Sequence, residues 1–291
     1  MNWLFDVFIA PFLEFAFMQK ALLGASMLSL SAGPVGVFLM LRRMSLTGDA
    51  MAHAILPGAA AGFLMFGLEI VPMTIGGLAA GVVVALAAGA VSRFTIQKED
   101  ASMAAFYLIA LSVGVVMVSM RGSSIDLMHV LFGTVLALNT DALVLIGLVA
   151  ATTMLTLAVF WRALVAECLD PLFLRSVSRL GSPVHFIFLG LVVLNLVAGF
   201  QALGTLLSVG LMVLPAVSAR FWARRVETMA LLAVAIGMAS SISGLLLSYH
   251  LSLPSGPAMI LSAGVAYAVS VVAGRRGLLI TLRPRPSHRT A

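Results

Sequence analysis

Apolar runs of roughly twenty residues, parted by short polar connectors, recur along this chain of 291 residues. They fall at 20–41, 49–67, 70–92, 102–120, 140–161, 184–201, 204–221, 227–248 and 256–274. A helix of about twenty residues crosses a hydrocarbon core of about 30 Å, and none of these runs alternates with the period of two that a barrel strand needs. The pattern predicts an all-α, polytopic helical membrane protein of about nine spans. Eight is the alternative count, and residues 121–139 are open to re-entering or extending a neighbouring helix. Pro34, Pro57 and Pro215 fall inside spans and predict kinks, where freed carbonyls need other partners. Glu99-Asp100 reads as a helix start, since carboxylates favour the positive end of the helix dipole. The glycines between Gly76 and Gly89 suit close helix packing.

Composition agrees with this picture and narrows it. The chain is 62% hydrophobic and 10% charged, with a mean hydropathy of +1.13, far too little polar surface for a soluble domain. Its isoelectric point near 10.4 is compatible with nucleic-acid binding, but the basic residues sit in short connectors. Arg42-Arg43, Arg93 with Lys98, Arg162 with Arg175 and Arg179, Arg220 with Arg224-Arg225, and the tail from Arg275 to Arg289 occupy alternate connectors. They hold fifteen of the 17 Lys and Arg residues, leaving Lys20 and Arg121 opposite. The positive-inside rule makes the first set cytoplasmic, with the N-terminus outside and the C-terminus inside. Residues 1–18, aromatic and carrying Asp6 and Glu14, make a poor signal peptide and suit an interfacial segment. Residues 19–276 form the transmembrane domain, and 277–291 a basic, proline-rich cytosolic tail. The single cysteine, Cys168, excludes an internal disulfide and is read as a small apolar filler.

The chemistry concentrates in Arg42-Arg43-Met44-Ser45-Leu46-Thr47-Gly48-Asp49-Ala50-Met51-Ala52-His53, which joins the first two runs. In a helix Asp49 and His53 stand one turn apart on one face, with Ser45 a further turn back if the helix begins that early. Ionisable groups in a greasy segment are expensive, and a carboxylate with a neutral imidazole suits a divalent first-row metal such as zinc or manganese. The plain alternative is that Asp49 caps a helix N-terminus and His53 is an interior histidine. Asp126 and His129, three residues apart, read as an entry site on one side of an extracytoplasmic helix, as a buried hydrogen-bonded pair, or as simple loop polarity, the last two being favoured. His185 and His250, near span ends, are expected at the membrane interface, and the 17 methionines are read as packing. The two lysines, Lys20 and Lys98, lie in no G-x-x-x-x-G-K-[ST] loop, and no H-E-x-x-H occurs. No catalytic or cofactor-binding residue is assigned, and energy must come from a partner or an ion gradient.

Four stretches together resemble one family. Arg42-Arg43-Met44-Ser45 with Gly48-Asp49 and His53 resembles the second-helix motif of the zinc/manganese permeases of bacterial ABC transporters. Asp126-Leu127-Met128-His129-Val130-Leu131-Phe132-Gly133 is similar to that family's central D-L-x-x-x-L-F-G segment. Ala202-Leu203-Gly204-Thr205-Leu206-Leu207, running to Leu214-Pro215-Ala216 and Ser218-Ala219-Arg220, resembles its G-x-L-L…P-A-x-x-A-R stretch. Leu253-Pro254-Ser255-Gly256-Pro257-Ala258 matches the turn before its last helix.

The resemblance implies the permease bundle of an ATP-driven metal importer in a bacterial plasma membrane. It implies a homodimer, two cytosolic ATP-binding subunits and an extracytoplasmic metal-binding protein. It places Asp49 and His53 in the translocation pathway, with copies from both protomers meeting near the dimer axis. The transported ion is expected to be zinc ahead of manganese, with no permanently bound cofactor. A gradient-driven metal carrier without an ATPase is the alternative function. The connectors 167–181 and 219–227 are the candidate ATPase-docking loops, with 219–227 preferred because it directly ends the Leu-Pro-Ala helix.

Overall fold

In a computed structural model of the chain, the residues described are 8, 10–67, 69–119, 138–170, 174, 176 and 181–281. The Asp126/His129 pair, residues 282–291 of the tail and residues 1–7 and 9 of the N-terminal segment lie outside them. The described residues form twelve helices: α1 Ala10–Glu14, α2 Ala16–Leu41, α3 Ser45–Ala54, α4 Leu56–Phe66, α5 Ile70–Phe94, α6 Glu99–Ser119, α7 Thr140–Leu169, α8 Gly181–Leu203, α9 Thr205–Arg220, α10 Val226–Leu251, α11 Ser255–Ala273 and α12 Leu278–Thr281. No strand occurs among the described residues.

Among the described residues eight helical spans are long and apolar enough to cross a membrane, with α3 and α4 counted as one. The ninth expected span, α9, has 16 residues. At 1.5 Å per residue that is about 24 Å, shorter than the other eight. Yet it returns the chain to the Arg42 end of the bundle, where Ala216 and Ala219 pack with Met40, and so supplies the ninth pass among the described residues. By contrast α7 runs to Leu169 over 30 residues, about 45 Å, so its last two turns extend beyond the expected 140–161.

Two helices serve as pillars. The crossing windows of α2 and α8 are each 72% buried, against 22–28% for α5, α6, α7 and α11. Helix α2 packs on α7, α9 and α10, while α8 stands between α7, α5, α9 and α2. The outer helices keep one apolar side free, as lipid-facing helices do. Small residues permit the closest approaches. Gly58 and Gly76 meet backbone to backbone where α4 crosses α5, and Gly81 faces Val193 of α8. The expected glycine packing of the Gly76–Gly89 helix is present. Inside the bundle, Asn195 Nδ2 of α8 donates to Thr153 Oγ1 of α7 and to its own Leu191 carbonyl, both at 2.9 Å.

The prolines act unequally. Pro34 and Pro215 sit within continuous helices, whereas the chain breaks at Ile55, with Pro57 in the first turn of α4. A single residue, Gly204, separates α8 from α9, with φ +87° and ψ 161°. Those angles are essentially open to glycine alone. The two helices fold back as a hairpin, bringing Ser208 Oγ within 3.4 Å of the Leu196 carbonyl. Helix α6 begins at Glu99, as its acidic pair predicts.

Candidate metal-transfer site

Helix α3 begins at Ser45, four residues before Asp49, and its N-cap is Met44. Asp49 is therefore interior to the helix and caps nothing. Helical spacing places His53 directly above it, with His53 Nε2 and Asp49 Oδ1 3.9 Å apart. Two donors each about 2.1 Å from one ion lie no more than about 4.2 Å apart, so this pair can share an ion. The Asp49 side chain is 65% exposed and that of His53 33%.

The pair opens on a cleft of about 240 Å³ walled by α3, α9 and α11, with Thr205, Leu206, Gly210 and Ile260 opposite. Its other walls are almost wholly apolar, so the carboxylate and the imidazole are its principal metal donors. Gly48 lets α3 press against α9, where an added Cβ would lie 3.0 Å from the Met212 methyl. On the other side the His53 ring faces Tyr107 of α6, with centroids 6.3 Å apart and planes inclined at 31°. His53 Nδ1 is buried without a hydrogen-bond partner among the described residues. Larger clefts lie elsewhere: one of about 740 Å³ lined by Glu69, Thr74, Asn139 and Asp141, and an apolar one of about 600 Å³ between α4 and α5. Neither contains an acid–histidine pair.

Among the described residues no three His, Cys, Asp or Glu side chains come together as a metal cage. Among the described residues the Asp49/His53 pair thus offers two donor groups, half the number in a four-ligand shell.

The other histidines behave differently from each other. His250 ends α10 exposed beside Tyr249, their ring centroids 5.2 Å apart. His185 departs from the interface expectation, being 7% exposed inside the bundle. Its partner is Arg42, whose Nη2 lies 2.9 Å from His185 Nδ1 and donates to Glu167 Oε1 at 3.2 Å. A guanidinium only donates, so Nδ1 accepts and a neutral His185 carries its proton on Nε2. The Arg42 guanidinium also stacks 4.8 Å above the Phe188 ring. Arg42 is therefore more than a topology-setting charge, and Glu167 belongs to α7 rather than to a loop surface. The sequence carried one signal for this cluster, an acid two residues inside the end of an apolar helix.

Of the two connectors weighed for docking, 219–227 is described in full. Trp222 Nε1 donates to Ser270 Oγ at 2.9 Å, and the Arg276 amide donates to the Phe221 carbonyl at 3.1 Å. These bonds brace the turn against the end of α11, with Arg224 and Arg225 facing outward. Residues 171–173, 175 and 177–180 of the other connector lie outside the described residues.

Two buried pillars and outer helices with free apolar faces define a multi-span helical membrane protein. Residues 14–274 match the model of the ABC 3 transport family, and the chain belongs to that family. The chain is similar to the manganese import system permease protein ScaB of Streptococcus gordonii, 32% identical over 90% of this chain and 93% of that protein. It is also similar to the manganese transport system membrane protein MntC of Listeria innocua, 30% identical over 94% and 97%. Among solved structures, PsaBC from Streptococcus pneumoniae in complex with Fab superposes with a TM-score of 0.83 at 29% identity, over 95% of this chain and 99% of that one. As a permease subunit the chain is not an enzyme, and ATP hydrolysis belongs to a separate subunit.

Proposed function

We propose that this chain is the permease of an ATP-driven importer of a divalent metal, with manganese its leading cargo and zinc second. Two copies form the pathway, two ATP-binding subunits dock from the cytosol, and an extracytoplasmic metal-binding protein delivers the ion. The observation that carries the reading is the 65% exposed carboxylate of Asp49 on a membrane-crossing segment. A carboxylate is costly against lipid, which supports an open side that lines a water-filled passage at a seam with a second copy. Across that seam two Asp49 and two His53 side chains supply four donors, and the two carboxylates balance a divalent charge.

The names of the relatives support manganese ahead of the zinc that imidazole chemistry alone suggests. An Asp/His set discriminates poorly between the two metals. Membership of an ABC family supports ATP over an ion gradient. The basic connectors support an N-out, C-in arrangement in a bacterial plasma membrane. The braced 219–227 turn, with its outward arginines, supports docking of the ATPase there.

The test is uptake of radioactive manganese and zinc by cells carrying wild-type, Asp49→Asn or His53→Ala chains. Both variants should reach the membrane at wild-type levels and lose nearly all uptake. Undiminished uptake in both would remove the pair from the pathway.

A further inference from the structure

Arg42 stands where three helix ends converge. It directly follows α2, Glu167 lies two residues from the end of α7, and His185 lies in the second turn of α8. Beyond Arg42 the chain turns through Arg43, held at φ +60°, into α3 and so to Asp49 and His53. The guanidinium thus ties the ends of α7 and α8 to the turn that aims the site helix.

The pairing is shielded and incomplete. The Arg42 and Glu167 side chains are 9% and 1% exposed, and Phe188 covers one face of the guanidinium. Yet Arg42 Nη1 and Glu167 Oε2 are both buried without a partner among the described residues. A guanidinium and a carboxylate can meet through two parallel bonds, which would use those two atoms. Leaving them unmade is costly in a low dielectric. Turning Arg42 fully onto Glu167 satisfies both and gives up the His185 bond, so the cluster has two pairings available to it.

We propose that Arg42 is a positioning residue that couples movement of the α7 and α8 ends to the α3 site helix, by exchanging between the His185-shared pairing and a two-pronged pairing with Glu167. This rests on the reading of the chain as an ATP-driven permease.

The test uses the full permease with its ATPase subunit: a Cys168→Ala, Leu206→Cys background reports on the cleft by thiol labelling, and uptake is read in the chain with Leu206 and Cys168 unaltered. Labelling is compared without nucleotide and with ATP plus vanadate, and manganese uptake is measured alongside. Arg42→Lys keeps the charge but cannot make the fork. It should accumulate within twofold of its parent and retain the ATPase, yet lose at least tenfold of uptake and most of the nucleotide-dependent change in labelling. Glu167→Gln should behave likewise.

The proposal is overturned if both variants keep the labelling change, or if uptake falls only in proportion to the chain present. It is equally overturned if neither variant accumulates, because the cluster then serves folding alone. A labelling background that responds to nucleotide, with an unaltered chain that carries neither manganese nor zinc, sinks the cargo reading and leaves this one standing. A parent without any nucleotide response sinks this one.

Discussion

Gly36 is the position at which one methyl group should do the most calculable harm. It lies where α2 crosses α9, and a Cβ built there collides with the Met212 carbonyl oxygen and falls 2.8 Å from its carbonyl carbon. Ordinary contact begins near 3.4 Å, so the carbon alone demands a separation of about 0.6 Å. The obstacle is backbone, which cannot swing aside as a side chain does. Overpacking of this kind costs about 1–3 kcal/mol and belongs here at the upper end. The intrinsic gain of alanine over glycine in a helix offsets about 1 kcal/mol. The net loss for Gly36→Ala is thus about 2 kcal/mol, a factor of roughly 30 in the folded population. Gly190→Ala is the matched control, since nothing lies within 4 Å of its added methyl. Thermal unfolding of the detergent-solubilised chain should show Gly36→Ala clearly less stable than wild type and Gly190→Ala at least as stable. Since α9 walls the cleft, uptake by Gly36→Ala should fall as well. Equal midpoints for Gly36→Ala and wild type would refute the claim that this crossing has no slack.

Thr153→Val removes the inter-helical acceptor of Asn195 but leaves its bond to Leu191. Such bonds in bundles average about 0.6 kcal/mol and reach about 1.7, so a small drop in unfolding midpoint without loss of uptake is expected. Gly204→Ala forces a side chain into a glycine-only conformation at a cost of about 1–3 kcal/mol. A lower midpoint should accompany weaker uptake, because the residue joins α8 to a wall of the site. Replacing Arg224 and Arg225 together with glutamate should abolish co-purification of the ATPase subunit without changing the unfolding midpoint. Retained co-purification would move docking away from the 219–227 turn.

The legible part of the fold was the part governed by local chemistry. Hydrophobic length located the spans within a few residues, and the glutamate–aspartate pair marked the start of α6. The i, i+4 spacing placed Asp49 and His53 on one face without reference to any other helix. What escaped depends on partners distant in the sequence. Arg42 and His185 are 143 residues apart and Arg42 and Glu167 are 125 apart. An arginine at a span end carries the same local signature whether it faces lipid headgroups or a buried acid. The extra length of α7 belongs with this, because Leu164 and Glu167 in its last turns are buried against helices distant in the sequence. Likewise the walls of the cleft, Leu206, Gly210 and Ile260, carry no chemistry of their own and become site residues only through packing.

The single residue between α8 and α9 sets a limit on how this bundle can rearrange. Successive Cα atoms are about 3.8 Å apart, so Leu203 and Thr205 stay within about 7.6 Å in every state of the chain. A tether that short forbids sliding and leaves only pivoting. Whatever force reaches the far end of α9 must therefore arrive at the cleft as a tilt, like a treadle turning on one pin.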